Sequence, residues 1–571
     1  MYSDKKIVNI LTSILIANGI KNAVICPGSR NIPITANLTA AKEMDCISVV
    51  DERSAAFYAL GMSLATGLPT VVCVTSGSAF LNTLPAIAEA HYRLIPIILI
   101  TADRPQQWID RNDGQTMLQH GMAYNLFKAE ADVSDCDDEE AANHSRLLLN
   151  NTINSAMSGA KGPVHINLHL HEPLFDFNEK YLPTDARIKL VSPEPVLTTR
   201  ATEIIKDFIA ADNKAIVIGQ LPHHNQNLDW IIKQLKTYYV VMCEQLSTAE
   251  AEPVDSMMGL FDDMTTGMDI DMVFALGNTL VSKSLKQYMR KKNIHKLWEI
   301  NESGKIHDTF MGQTGVIECS CEQFLCELLR MTKSKYDSRN AASENTDNEG
   351  RKYLLKDKWD KATNAVGKCI DNYVPIYSQM LAIRNFELSL HNIDYDYEVH
   401  YANSMEVRIG CLYSPHYIWC NRGINGIEGS ISTAAGFSMV TSSMVFCIAG
   451  DLSFFYDQNA LWNSNLKSNF RILVLNNSRG GIFSQLKGLD VPDETMGYIE
   501  GRHSATAKGI CEQNDIDYIA ARDIGELHMA MSHFVTAKSE RPMVLEVFSS
   551  PEDDKQAYAE LKYRINNKQI I

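Results

Sequence analysis

Two polar clusters in the last third of the chain, Gly450-Asp451-Leu452-Ser453 and Asn476-Asn477-Ser478-Arg479-Gly480-Gly481, have residue types that can hold a cation and a phosphate. Each follows an apolar run, MVFCIA before the first and RILVL before the second. A carboxylate at the end of an apolar strand must pair, cap a helix or hold a cation. Mg²⁺ takes oxygen ligands in octahedral array, usually one or two protein side chains with phosphate oxygens and water. The carboxylate of Asp451 and the side-chain carbonyl of Asn477, on neighbouring strand ends, supply such a half-shell. Gly450 and Gly480 let a phosphate approach the backbone. The blander alternative is a helix cap at Asp451 and a turn at Asn477.

A second group of residues suits carboxylates. Ser29 and Arg30 (CPGSRN), Arg104 (TADRP), Gln115 (NDGQTM), Lys283 (SKS), Ser404 and Arg408 (NSMEVR) and Arg422 (NRG) mostly follow apolar runs. Arginine matches a carboxylate bidentately. A single arginine is commonly a surface charge, but four at one kind of edge suggest anionic substrates. Glu52, in VVDERSAAFYALGMS, is an acid at a helix start. It satisfies the helix dipole, pairs with Arg53, or does chemistry.

The elements that must position these residues are short β-branched runs alternating with helical patterns. The runs are AVIC (23–26), CISVV (46–50), TVVCV (70–74), IPIILI (95–100) and PVHINL (163–168). A second set is AIVIG (215–219), YYVVMC (238–243), MVFALG (272–277) and KLWEI (296–300). The third is EVHYA (398–402), YIWC (417–420), MVFCIAG (444–450), RILVL (471–475) and MVLEV (543–547). Near-continuous apolar strands spaced by helices imply parallel sheets covered on both faces. Breaks fall at 181–200 and at the polar stretch 332–352, expected to be a loose connection. The expectation is an α/β chain of three doubly wound parallel-sheet domains, 1–182, 195–331 and 353–571. Ligands bind outside the carboxyl ends of such strands, and the polar, glycine-rich segments fall there in the outer two domains.

A net charge of -16 argues against nucleic acid or an anionic membrane as partner. The 13 cysteines show no disulfide-scaffold or zinc-site spacing and suit a reducing compartment. The N-terminus lacks a cleavage signal, and no apolar segment reaches spanning length. A soluble cytoplasmic protein is expected.

The Gly-Asp…Asn-Asn arrangement resembles the signature of thiamine-diphosphate enzymes. The resemblance implies a Mg²⁺ (or Mn²⁺) ion joining the cofactor diphosphate to Asp451, Asn477 and the carbonyl of Arg479. Leu452 and Arg479 stand where that family commonly has glycine. It makes 1–182 a pyrimidine-binding domain, 195–331 a central domain and 353–571 a diphosphate- and metal-binding domain. Glu52 stands where the family places the glutamate that shares a proton with the pyrimidine ring, a role that burial assists by raising a carboxyl pKa. Ile427, in NRGINGIEGS, matches the bulky residue that props the cofactor; its alternative is core packing. The pyrimidine and diphosphate sites come from different chains, so a homodimer is the smallest working unit, with homotetramers possible in the family. The small-residue face of the helix after Glu52 suits close approach of another subunit.

CPGSR, DERSAAFYALG, TSGSA, EAHY, TADRP, NRGINGIEGSISTA, GDLSFFYDQNAL and NNSRGGIFS together resemble the menaquinone-biosynthetic branch of that family, over residues near 5 to 550. The middle domain matches least. The implied reaction is decarboxylation of 2-oxoglutarate and conjugate addition of the succinyl unit to isochorismate. By the same resemblance Arg408 and Arg422 hold the succinyl carboxylate, with Ser404 and Gln115 near the reacting centre. Ser29, Arg30, Arg104 and Lys283 receive isochorismate, and Phe483 and Leu486 form an apolar wall that excludes water. Rival readings are another thiamine-diphosphate carboligase or 2-oxoacid decarboxylase, for which the arginine set is excessive, and a non-catalytic cofactor-binding relative. A nicotinamide-binding protein is disfavoured because no strand leads into G-x-G-x-x-G.

Overall fold

The computed structural model describes residues 1–567 except 137, 185–186, 192–195, 342–353 and 487. Three all-parallel sheets run along the chain. The first holds β1 (Asn22–Ile25), β2 (Asp45–Ser48), β3 (Thr70–Val74), β4 (Ile97–Asp103), β5 (Glu130–Ser134) and β6 (Val164–His169), in the order β2-β1-β3-β4-β6-β5. The central sheet holds β7 (Lys214–Ile218), β8 (Val240–Cys243), β9 (Ile270–Leu276), β10 (Ile294–Asn301) and β11 (Gly315–Glu318), in the order β11-β10-β9-β7-β8. The last holds β12 (Tyr397–Tyr401), β13 (Met444–Gly450), β14 (Phe470–Asn476), β15 (Asp517–Ala521) and β16 (Met543–Phe548), in the order β12-β13-β14-β16-β15. The interior strands β3, β4, β6 and β14 are buried along their whole length, which fits their largely apolar runs, although β6 (VHINLH) also buries polar side chains.

The apolar pattern missed β5, β11 and β15. All three are outermost in their sheets, where one flank lacks a covering strand and the sequence mixes polar with apolar residues, as in EADVS. YIWC is not a sheet strand. Trp419 makes a single bridge to His400, its N–H donating to Val399 O at 2.8 Å, before the chain turns away at Asn421. The connection expected at 332–352 begins inside a helix, Cys321–Ala341, and residues 342–353 of it lie outside the described residues.

One helix contact joins the outer sheets' layers. The helix Glu52–Thr66, following β2, crosses the helix Ser430–Met439, which precedes β13, at backbone-to-backbone distance. A Cβ on Gly61 would stand 1.9 Å from Thr433 O, and one on Gly436 would stand 2.1 Å from Tyr58 O. The small-residue face expected to meet another subunit is therefore occupied, at Gly61, by the same chain. Asp51 caps this helix, its Oδ1 accepting from the N–H groups of Arg53 and Ser54, a contact worth about 1 kcal/mol.

Candidate active site

The register of the last sheet sets the first cluster. Gly450 of β13 pairs with Leu475 of β14, so Asp451 and Asn476-Asn477 leave their strands side by side. Asp451 opens the short helix Asp451–Tyr456 and is buried. Its Oδ1 accepts from Leu452 N–H at 2.7 Å and its Oδ2 from Asn477 N–H at 3.1 Å, while His503 Nε2 lies 3.3 Å from Oδ2. The carboxylate thus tethers the two strand ends as well as starting a helix. Asn477 donates from Nδ2 to Asp554 Oδ2 at 2.8 Å, and its Oδ1 accepts from Arg479 N–H at 3.3 Å.

Asn477 and Asp554 open onto a cavity of about 350 Å³, lined also by Arg479, Gly480 and Gly481 with an apolar side of Met405, Ile409, Phe483, Leu486 and Met496; Asp451 stands behind Asn477 and does not line it. The glycines have steric reasons to be glycine. A Cβ on Gly480 would meet the Phe483 ring at 2.9 Å, and one on Gly450 would meet Glu406 Oε1 at 2.4 Å. Arg479, also on the cavity, pairs its guanidinium with Glu500 at 3.4 Å.

The residues fit a divalent cation and a phosphate-bearing group. Burial pushes the carboxyl of Asp451 above its ordinary value, against the pull of Leu452 N–H and the His503 charge. Burial likewise raises Asp554. Glu406, buried behind Gly450, is pushed up to about 8 by burial, with the charges of Asp451 and Asp554 adding to it. Such a concentration of poorly compensated acid fits a bound cation. Among the described residues no cluster of three or more His, Cys, Asp and Glu could hold a metal by itself, so amide, backbone and ligand oxygens must complete the shell.

A second cluster stands beside this cavity. The helix Met405–Tyr413 puts Met405 and Ile409 on the cavity and follows Ser404, whose backbone is held at φ 90°, ψ -127°. A non-glycine residue there is strained, a feature concentrated at functional sites. Arg408 donates to Val281 O at 3.2 Å and Arg422 to Leu280 O at 3.4 Å, so both guanidinium groups face one turn of the central sheet. Arg422 is buried and also donates to Asn403 Oδ1 at 3.0 Å. The turn that follows it is held by Glu89, which accepts from the N–H groups of Gly423 and Ile424. Lys286 donates to the same Leu280 carbonyl as Arg422. Burial, then the Arg422 charge, depresses its pKa. Lys283, one turn earlier, is exposed.

The third cluster lies along the carboxyl edge of the first sheet. Arg30 is buried, donates to Leu170 O at 3.3 Å and pairs with Glu172 at 3.1 Å; Ser29 beside it is exposed. Arg104 donates from Nε to Gly114 O at 2.9 Å and pairs with Asp113 at 3.2 Å. Gln115, at φ 61°, exchanges hydrogen bonds with Ser76, donating to its carbonyl at 3.1 Å and accepting from its hydroxyl at 2.9 Å. Behind them Asn167 accepts from Thr101 and Gln119 and donates to Asp103 and Asp132. Burial works against a charge on His169, but hydrogen bonds to Asp132 and the Arg104 carbonyl outweigh it and raise its pKa.

Glu52 is half-buried, and its Oε2 accepts from Asn82 Nδ2 at 3.1 Å. Of its two bland readings, the Arg53 pairing weakens, while the helix-dipole reading stands, because Glu52 sits in the first turn of its helix. Asp51 does the capping, and Arg53 donates to Tyr456 O at 2.8 Å and stacks on its ring. Glu52 does not line the Asn477 cavity. Ile427 is 38% exposed, its carbonyl accepting from Ser453 Oγ at 2.6 Å. The sequence reading missed Glu89, Asn403, Glu406, Lys286 and Asp554. Asn403 and Glu406 lie in NSMEVR and Glu89 in EAHY, segments singled out above for other residues or as part of the resemblance; Lys286 and Asp554 lie inside helices with no local mark.

Residues 5–125 match the family described as "Thiamine pyrophosphate enzyme, N-terminal TPP binding domain". With three parallel sheets and chemistry-bearing residues at their carboxyl edges, this places the chain among the thiamine-diphosphate enzymes (thiamine pyrophosphate is the same compound). Along its full length it is 36% identical to the 2-succinyl-5-enolpyruvyl-6-hydroxy-3-cyclohexene-1-carboxylate synthase of Phocaeicola vulgatus, covering 100% of both chains. It is 33% identical to that of Bacteroides thetaiotaomicron, again over 100% of both. With the synthase of Porphyromonas gingivalis it shares 32% identity over 96% of this chain and 95% of the relative. The chain belongs to the 2-succinyl-5-enolpyruvyl-6-hydroxy-3-cyclohexene-1-carboxylate synthase family.

Proposed function

We propose that this protein is a thiamine-diphosphate-dependent transferase of menaquinone biosynthesis that decarboxylates 2-oxoglutarate and joins the succinyl unit to isochorismate. The observation that carries the reading is Asn477, its N–H held by the Asp451 carboxylate, lining a cavity with Gly480 and Gly481, in a chain that aligns end to end with synthases of that name. When bound, thiamine diphosphate supplies the electron sink that lets a 2-oxo acid lose CO2 and its remaining acyl unit be passed on.

The chain's residues divide the rest of the work. Asp451, Asn477 Oδ1 and the Arg479 carbonyl hold Mg²⁺ or Mn²⁺, while Gly450 and Gly480 leave room for the diphosphate and Ile427 supports the cofactor. Glu52 holds the proton shared with the pyrimidine ring at its carboxyl oxygen. Arg408 and Arg422 bind the distal carboxylate of 2-oxoglutarate, and the buried, desolvated setting of Arg422 strengthens that pairing. Ser404 and Gln115 orient the reacting centre. Ser29, Arg30 and Arg104 receive the carboxylates of isochorismate, with Lys283 approaching from the central sheet. Phe483 and Leu486 keep water away.

Glu52 stands outside the cavity of its own chain, which supports a homodimer or homotetramer with each site shared between two copies. Among the described residues no helix is long and apolar enough to cross a membrane, in keeping with work in the cytoplasm. The test supplies purified protein with thiamine diphosphate, Mg²⁺ and 2-oxoglutarate and follows ketoacid consumption with and without isochorismate. Consumption accelerated by isochorismate, with formation of the succinylated adduct, is expected. Decarboxylation indifferent to isochorismate removes the acceptor, and cofactor binding without turnover makes the protein a non-catalytic relative.

A further inference from the structure

We propose that Asp554 is a positioning residue that turns the side-chain amide of Asn477 so that its oxygen, not its nitrogen, faces the metal position beside Asp451. The proposal rests on the metal site proposed above.

An asparagine amide has two faces of opposite character, an oxygen that accepts and an NH2 that donates. Only the oxygen is a ligand for a hard cation. On its own the amide can turn either way, and one of the two orientations would present N–H groups to the cation. An ionised carboxylate beside it removes the choice, because a carboxylate only accepts. Asp554 Oδ2 takes the Asn477 Nδ2–H at 2.8 Å, and Oδ1 of Asn477 is then directed away from it, toward Arg479 N–H at 3.3 Å. Arg479 is the residue whose carbonyl is the third protein ligand in the proposed site.

Asp554 is itself well fixed. Its Oδ1 accepts from Gln379 N–H at 2.8 Å, and its Oδ2 also accepts from Ser549 Oγ at 2.9 Å. It stands in the first turn of the helix Pro551–Asn566, which is capped by Ser550 and favours a negative charge at that end. The sheet delivers this helix to the right place. Asn476 of β14 pairs with Phe548 of β16, and Ser549 N–H donates to Asn476 O at 3.0 Å, so the strand carrying Asn477 and the strand feeding the helix end together. Asn477 is thereby held twice: its backbone by Asp451, its side chain by Asp554. Gln379, Asn477 and Asp554 all line the cavity. Outer residues that orient a metal's ligands commonly matter 10- to 100-fold to metal affinity.

The experiment titrates Mg²⁺ into full-length protein with thiamine diphosphate present, reading binding by calorimetry and intrinsic fluorescence, for wild type, Asp554→Ala, Asp554→Asn and Asp451→Ala. Circular dichroism and the melting temperature of the cofactor-free proteins run alongside. The expected result is an apparent Mg²⁺ dissociation constant raised about 10- to 100-fold in Asp554→Ala. Asp554→Asn should lose less, because an asparagine oxygen can still accept from Asn477. Excess Mg²⁺ should restore cofactor binding in both. Unchanged Mg²⁺ affinity in Asp554→Ala, or in the isosteric Asp554→Asn and Ala variants alike when only the melting temperature falls, would reduce Asp554 to a structural residue and overturn the proposal. If Asp554→Ala does not fold, an unaltered Mg²⁺ affinity in Asp554→Asn overturns it. Failure of the underlying site looks different: Asp451→Ala would then bind cofactor with wild-type Mg²⁺ dependence, and both readings fall together.

Discussion

Glu89 grips the turn after Arg422 with both carboxylate oxygens, Oε1 accepting from Gly423 N–H at 2.8 Å and Oε2 from Ile424 N–H at 2.9 Å. Glu89 belongs to the helix following β3, and Gly423 to the segment leading toward β13, so this contact fixes a candidate substrate arginine from a distant part of the chain. A Cβ on Gly423 would come within 2.8 Å of Glu89 O. Glu89→Gln keeps the volume but offers one good acceptor where two are needed. We expect a loss of about 1–3 kcal/mol in urea unfolding and a higher 2-oxoglutarate requirement; wild-type values for both would show that the turn holds without it.

Glu52→Gln should bind thiamine diphosphate in a Mg²⁺-dependent way while turnover falls by about 100-fold or more. Calorimetry separates the two quantities. Near-normal turnover in this variant would remove Glu52 from the mechanism.

Arg422→Ala should raise the 2-oxoglutarate requirement about 10- to 100-fold, the range of a lost charge-assisted contact, and raise that for pyruvate less. The comparison is a pair of saturation curves for ketoacid consumption. An equal loss for both substrates would disconnect this arginine from the distal carboxylate.

His400 gives a pH dependence with a definite sign. It is buried between Trp419 and Phe437, and burial, with Arg93 adding, lowers its pKa to about 3. The unfolded chain protonates it near its ordinary value of about 6.5. Its neutral form therefore costs the fold nothing above that pH, and stability falls by about 1.4 kcal/mol per pH unit as pH drops from there toward 3. Urea unfolding at pH 7 and 4.5 should show a smaller acid loss in His400→Phe than in wild type; parallel losses would assign the acid sensitivity elsewhere.

The chemistry at strand ends was more legible in the sequence than the strands that share a sheet edge. Asp451, Asn477, Arg408 and Arg422 each follow an apolar run, and burial explains why those runs are unbroken. The outermost strands β5, β11 and β15 carried no such mark because they are short and only partly buried, and polar residues interrupt them, as in EADVS. YIWC is as apolar as a strand, yet it fills a core position behind β12 through one bridge. The role of Glu89, although it heads the EAHY segment, and that of Asp554 were not legible for another reason: their partners, Gly423 and Asn477, are far away in sequence, and no local spacing encodes a contact between distant helices and turns. The structure also separates residues that resemblance had grouped, leaving Glu52 away from the cavity of its own chain and Lys283 exposed.

The helix Pro551–Asn566 has a consequence for biosynthesis of the chain. Residues of Pro551–Asn566 form one wall of the cavity whose other walls come from segments made much earlier. As the polypeptide leaves the ribosome, Asp451 and Asn477 exist for some time without that wall. The pocket is closed only once Pro551–Asn566 has been made, so a chain terminated before that helix carries the recognisable motifs but lacks this wall.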